Sequence, residues 1–324
     1  MSFPLSLSEV ARSLEIQKLG KKLQEEARSG KSRVEFIREP FLRKREEVGR
    51  LVVALGSYDP LSKAHETLFL QGLKAVQNKP ARTSLDELLI VTSTHHFEKK
   101  VDLRKNSAVY DRVHALEGFA GCYDQVSLAF FNAPLFVALA PLLQQNYGSD
   151  VSIYFVVGSD LMDKIVDPQS YRHYDVSPAQ ALETLFAHSF IVCERAIATT
   201  EGTKIMGLDD LKKKYPQLQR YSRHLIGITI PIPGISSTLI REKRSQGKDT
   251  RSLEAVGVTD FLNKRGLYLP NNKYVAFTYA RERFLEQYKD QPIAAYIEEL
   301  MGYLQRLDQD PVLQEQEISR MERK

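Results

Sequence analysis

Residues 51–65 read Leu51-Val52-Val53-Ala54-Leu55-Gly56-Ser57-Tyr58-Asp59-Pro60-Leu61-Ser62-Lys63-Ala64-His65. The first five are continuously apolar, the pattern of a strand buried on both faces. Gly56 to Pro60 is turn chemistry. His65 to Val76 then carries Leu68, Leu70, Leu73 and Val76 at helical spacing. A buried strand that passes through a glycine turn into a helix is one unit of a parallel α/β sheet, and the chain repeats it. Glu87–Thr92, Val126–Ala129, Val151–Val157 and Ser189–Cys193 read as strands, with Leu225–Ile230 as a sixth. Helices are expected from about Ser107 to Ala120 and from Pro134 to Asn146. The fold class is therefore α/β, a doubly wound parallel sheet of about five to six strands with helical N- and C-terminal extensions. Ligands of such sheets sit beyond the carboxyl ends of the strands, where Gly56–His65 and Gly158–Asp160 lie.

Outside this core, residues 1–48 form a helical N-terminal extension, 49–270 the main domain and 271–324 a helical C-terminal extension. Val10, Leu14, Leu19 and Leu23 line one helix face, with Gly30 as its stop. Arg43-Lys44-Arg45-Glu46-Glu47 reads as a solvated linker or helix face, with nuclear targeting as the alternative. Phe284, Tyr288, Ile293, Tyr296, Ile297, Leu300, Tyr303, Leu304 and Leu307 give helical spacing near the end, and Gln314–Lys324 is expected to fray.

The 324 residues include 43% hydrophobic and 27% charged, which excludes wholesale disorder and fibrous repeats. No window approaches a membrane span, and no signal-peptide core follows Met1. Lys plus Arg 45 against Asp plus Glu 41 leaves a formal charge of +4, too small and dispersed to argue for nucleic acid. Cys122 and Cys193 alone make neither a disulfide framework nor a zinc site, and they fit a reducing compartment. A cytoplasmic location is expected, with neither nucleic acid nor membrane as partner; a homo-oligomer is left open.

Two segments carry the chemistry. In the first, glycine lets backbone approach a ligand, free amides at a helix start attract phosphate, and Ser62, Lys63 and His65 add a hydroxyl, a cation and an imidazole within one turn. The second is Gly234-Ile235-Ser236-Ser237-Thr238-Leu239-Ile240-Arg241. Ser236 or Ser237 can cap a helix, three hydroxyls offer donors to anionic oxygens, and Arg241 can fork onto phosphate one turn later.

Together they resemble the nucleotidyltransferase superfamily whose signatures are a Gly-Ser/Thr-Phe-Asn/Asp-Pro-x-(His/Thr)-x-x-His loop and a distal Ile-Ser-Ser-Thr-x-x-Arg. Gly158-Ser159-Asp160-Leu161 is similar to the family's Gly-x-Asp segment, and Phe190–Arg195 to its strand ending in arginine. Phe261–Tyr268, with its Gly266-Leu267-Tyr268 ending, resembles nicotinamide/nicotinate mononucleotide adenylyltransferases. The resemblance spans about residues 50 to 270 and implies a Rossmann-like fold. It also implies adenylyl transfer from ATP to a pyridine mononucleotide, giving NAD or its deamido form plus pyrophosphate, with Mg²⁺ carried by ATP and no dedicated metal ligands. By the same resemblance His65, Ser62 and Arg241 are the catalytic candidates. Gly56, Ser57, Tyr58, Gly158, Asp160, Ser236, Ser237 and Thr238 would bind ATP, and Lys63 and Arg195 are further phosphate contacts. His95, His96, Lys99 and Lys100 form either a substrate-touching or a plain basic loop. Ser62 departs from the family's histidine or threonine. The competing readings are a phosphopantetheine adenylyltransferase-like enzyme or other nucleotidyltransferase, and a nucleotide-binding module without turnover.

Overall fold

In the computed structural model the described residues are 5–39, 44–81, 83–94, 102–133, 136–172, 176–199, 202–229 and 235–323. Helix α1 (Leu7–Arg28) starts in a capping box between Ser6 and Glu9. It ends where Lys31 N–H bonds the Glu26 carbonyl and Gly30 N–H bonds that of Ala27, with Gly30 at φ 81°. Glycine takes that left-handed position without strain, so it stops the helix as expected.

The strands are β1 (Val34–Arg38), β2 (Arg50–Leu55), β3 (Asp86–Ser93), β4 (Val126–Phe131), β5 (Ser152–Gly158), β6 (Ser189–Thr199), β7 (Gly202–Met206) and β8 (Leu225–Thr229). They make one eight-stranded sheet. Its parallel members run β4-β3-β2-β5-β6-β8. The chain thus winds outward from β2 to β4, returns to β5 beside β2, and winds outward again. The crevice beyond the ends of β2 and β5 is the switch point of a doubly wound sheet.

Helices α2 (Lys63–Val76) and α3 (Val109–Ala120) cover one face, packing Phe69, Leu73 and Phe119 on Val52, Ile90, Leu128 and Val156. The opposite face takes α4 (Leu139–Tyr147), α5 (Ser159–Val166), α6 (Pro178–Leu185) and α7 (Leu208–Lys214). Each large apolar side chain fully buried there contributes about 1.5–3 kcal/mol, and the two-sided burial explains why the central strands read as unbroken apolar runs.

Two strands escaped the sequence. β1 lies in the segment read as a helical extension, yet it pairs antiparallel with β4 through Val34↔Phe131. The second half of β6 pairs antiparallel with β7 from Arg195↔Met206 to Thr199↔Gly202, while its first half pairs with β8. Both are short edge elements with charged residues, so neither shows the buried-strand pattern.

The remaining helices are α8 (Ser237–Ser245), α9 (Thr259–Arg265), α10 (Lys273–Gln287), α11 (Ile297–Gln309) and α12 (Pro311–Glu322). α12 corrects the expectation of fraying: Asp310 caps its start, Ile318 is buried and Glu317 pairs with Arg283. The two ends of the chain form one unit, in which Val10 and Leu14 of α1 join Phe277, Phe284, Leu300 and Leu304. Further along α1, Ile16 and Leu23 pack on Val109, Tyr110 and Val113 of α3. Further along α3 the backbones of Gly118 and Gly257 approach closely. A Cβ on Gly118 would lie 2.3 Å from the Gly257 carbonyl, and one on Gly257 2.3 Å from that of Gly118. No helix among the described residues is long and apolar enough to cross a membrane.

Candidate active site

The loop that leaves β2 folds over itself. Tyr58 takes φ 44° and lays its buried ring against Gly56, where a Cβ would stand 2.6 Å from the ring. Only glycine fits beneath it. The ring also meets His65 edge-on at 5.4 Å and Phe69 at 5.7 Å. Burial raises the Tyr58 pKa far above its ordinary value, so its hydroxyl stays protonated.

Ser62 caps α2. Its Oγ accepts from the His65 amide at 3.4 Å, and the His65 Nδ1 lies 3.1 Å from the Ser62 amide and 2.9 Å from Ser62 Oγ. A ring nitrogen facing a backbone N–H must accept, which places the imidazole proton of the neutral ring on Nε2. His65 lines the cavity while Ser62 is fully buried. The hydroxyl of Ser62, a catalytic candidate from the sequence, faces the histidine. Lys63 turns to Glu66 at 2.9 Å and does not line the cavity.

That cavity measures about 540 Å³ and occupies the β2/β5 crevice. Gly56, Ser57, Tyr58, His65, Gly158 and Asp160 line it. Gly158 is the N-cap of α5, so the positive end of that helix opens at the crevice. Lys164, one turn beyond Asp160, also lines the wall. Sequence reasoning passed over Lys164 because a lone lysine on a helix reads as a solvent-facing residue.

The distal segment docks on the first loop. Ser236 caps α8 by accepting from the Leu239 amide at 3.1 Å, and the Ser237 hydroxyl donates to the Pro60 carbonyl at 2.7 Å. Arg241 donates to the Asp59 carbonyl at 2.5 Å and to Thr238 Oγ1 at 3.3 Å. None of these four lines the cavity. Gly234, the side chain of Arg195, and His95, His96, Lys99 and Lys100 lie outside the described residues.

The centre of the arrangement is a side chain to which sequence reasoning gave no role. Asp59 is buried, and its Oδ1 accepts from the Ser107 amide (3.1 Å), the Ser107 hydroxyl (2.5 Å) and the Tyr268 hydroxyl (2.6 Å). Its Oδ2 lies 3.2 Å from Arg112 Nη2. Arg112 also donates to the Ser107 carbonyl at 2.7 Å and to Ser57 Oγ. Ser107 and Arg112 begin a helix after a loop, and nothing local in the sequence marks them. The carboxylate therefore ties together the loop, the start of α3 and the Gly266-Leu267-Tyr268 ending.

The model of the family described as cytidylyltransferase-like matches residues 53–243. A curated Moorella thermoacetica protein, named a probable nicotinate-nucleotide adenylyltransferase, is 25% identical over 226 residues, covering 68% of this chain and 93% of that relative. Two structures of Plasmodium falciparum nicotinic acid mononucleotide adenylyltransferase also align. The complex with APC is 19% identical at TM-score 0.44, and covers 68% of this chain and 97% of that one. The complex with NaAD is 18% identical at TM-score 0.43, with the same coverage. With the family match spanning more than half of its length, and both motif segments inside or at the edge of that match, the chain belongs to the cytidylyltransferase-like family and is an enzyme of the nucleotidyltransferase type.

Proposed function

We propose that the protein transfers the adenylyl group of ATP to a pyridine mononucleotide. A phosphate oxygen of the mononucleotide attacks the α-phosphorus of ATP, the bond from that phosphorus to the α,β-bridging oxygen breaks, and pyrophosphate leaves. The observation that carries this reading is the docking of Ser237 and Arg241 onto the Asp59–Pro60 turn, beside a cavity holding His65 and a helix N-terminus. Such a site aligns two anionic reactants and spreads donors over the developing charge, and it needs no covalent nucleophile.

His65 Nε2–H donates to a non-bridging oxygen of the α-phosphate, and the Ser62 cap fixes the tautomer that makes this donation available. Arg241, Ser236, Ser237 and Thr238, which do not line the cavity itself, would meet the β- and γ-phosphates where the triphosphate extends past it. Gly56, Ser57 and Tyr58 bring backbone against the nucleotides, with Gly158 and Asp160 across the crevice. Mg²⁺ enters as MgATP, held by phosphate oxygens and water. A cavity that opens on the N-terminus of α5 and is lined by Lys164 suits a triphosphate that carries its own cation. The Moorella relative is named for the nicotinate form, which makes the acid the first acceptor to test. The assay is pyrophosphate release with MgATP and each mononucleotide in turn. Turnover with nicotinate or nicotinamide mononucleotide is expected. Release only with another acceptor, such as phosphopantetheine, or only from CTP, would overturn the reading.

A further inference from the structure

We propose that the helical unit made by the two ends of the chain is a working part of the active site. Tyr274 and Arg281 of α10 act as positioning residues that hold the Gly56–Pro60 loop through the first turn of α3.

The connection is continuous and buried. Ala108, the N-cap of α3, supplies no side-chain cap. The Tyr274 hydroxyl instead bridges this first turn, accepting from the Ala108 amide and donating to Asp111 Oδ2, both at 2.8 Å. Asp111 in turn receives both arms of Arg281, at 2.8 and 2.7 Å. Neither Asp111 nor Arg281 is measurably in contact with solvent: they are 0% and 1% exposed. A bidentate guanidinium pair fixes orientation as well as distance. Ser107, just before the N-cap, and Arg112, next to Asp111, are the residues that face the loop: Ser107 bonds Asp59, and Arg112 bonds both Asp59 and Ser57. One turn of helix therefore has its outer side clamped by the extension and its inner side clamping the cavity wall. A shift of that turn moves Ser57 and Asp59 together, because the hydrogen bonds leave no slack between them. Both Tyr274 and Arg281 lie beyond the residues that match the family, so the clamp is supplied from outside the shared domain.

The kinetic arm of the test rests on the adenylyl-transfer reading, and a second arm does not. Tyr274→Phe removes one hydroxyl and keeps the ring. Tyr303→Phe is the control, since the Tyr303 hydroxyl bonds Glu317 within the helical unit. Tyr274→Phe is expected to lower kcat about 10-fold with little change in KM for ATP, while Tyr303→Phe leaves kcat at the parental value. Tyr268→Phe, which cuts the donor to Asp59, is expected to cost about as much. The double variant should fall little further than either single one, because both hydroxyls hold the same turn. Independent, multiplying losses, or an unchanged kcat in Tyr274→Phe, would overturn the proposal.

Amide hydrogen exchange of the peptide covering residues 56–62 is the second arm. It should quicken in Tyr274→Phe and stay parental in Tyr303→Phe. Equal exchange in all three proteins would also overturn the proposal. A parent without adenylyl transfer would refute the functional reading alone, and exchange would still decide the coupling. Should Tyr274→Phe not fold, Arg281→Lys, which keeps the charge and loses the fork, carries the same two measurements.

Discussion

Asp59 and Asp111 are both buried carboxylates, each bonded by one tyrosine hydroxyl and paired with an arginine, and they grip opposite sides of Ser107–Arg112. Their partners are arranged differently. Arg281 commits both arms to Asp111, and Arg265 stands 3.7 Å from the same carboxylate. Burial pushes the Asp111 pKa up, and the two guanidiniums overcome it and hold the carboxyl below its usual range. Burial, with the like charge of Arg281, pulls Arg265 down to about 10. Arg112 instead spreads its donors over Asp59, Ser57 and Ser107. The sealed pair concentrates charge where no ligand enters. The distributed one extends to Ser57 on the cavity wall. A buried aspartate thus serves as a rivet in one place and a bracket in the other, according to how its arginine divides its donors.

The largest expected effect tests the rivet. Arg281→Met leaves Asp111 without its bidentate partner and should cost about 3–5 kcal/mol in urea unfolding, the loss typical of a broken buried pair. A loss under 1 kcal/mol would mean that Arg265 and Tyr274 alone suffice.

On the cavity side, His65→Ala should lower kcat by about 100-fold, the effect of removing one donor aimed at developing charge. The urea midpoint should move far less than in Arg281→Met. Near-parental turnover in a folded His65→Ala protein would remove the histidine from the chemistry.

Ser62→Ala lies between the two behaviours. Loss of the cap should cost about 1 kcal/mol of stability. The fall in kcat should be smaller than for His65→Ala, because the Ser62 backbone amide still faces Nδ1. A fall as large as that of His65→Ala would show that the hydroxyl itself, and not the ring it orients, meets the substrate.

The smallest effect is a pH dependence on the rivet side. Burial first, then the like charge of Arg265, lowers the His114 pKa to about 3. The unfolded chain binds that proton near pH 6.5 and the folded chain does not. Stability is therefore full above about pH 6.5 and declines toward pH 3, by at most about 1.4 kcal/mol per pH unit. Melting curves between pH 6.5 and 5.5 should slope less in His114→Gln than in the parent. Identical slopes would assign the acid sensitivity to other groups.

How much of this was legible in the sequence follows from how local each signal is. The six parallel strands were readable because two-sided burial writes an apolar run into consecutive residues. β1 and β7 were not, since an edge strand is defined by its neighbour and its sequence mixes charged with apolar residues. The two motif segments were readable as phosphate chemistry because glycines, hydroxyls and cations crowd one turn. The direction of those hydroxyls was not. Ser62 looks the same in sequence whether it faces a phosphate or caps a helix, and only the position of His65 Nδ1 separates the two. Asp59, Ser107, Arg112 and Tyr268 converge from three separated segments, so no window of residues contains their relationship. The extensions read as amphipathic helices, but their buried polar contacts with α3 depend on pairing the first residues of the chain with nearly the last.

The contact between Gly118 and Gly257 sets a different kind of limit on this architecture. Where two side chains collide after a substitution, the partner can shrink, and a second change restores the fit. Here each carbonyl oxygen occupies the space a Cβ of the other residue would need, and both positions are already at the smallest residue there is. A methyl group added at either one has nothing opposite it to trim, and Gly257 also sits at φ 76°, a conformation costly for any other residue. The join between α3 and the loop before α9 is thus one place where the protein can lose a fit but has no second-site route to recover it.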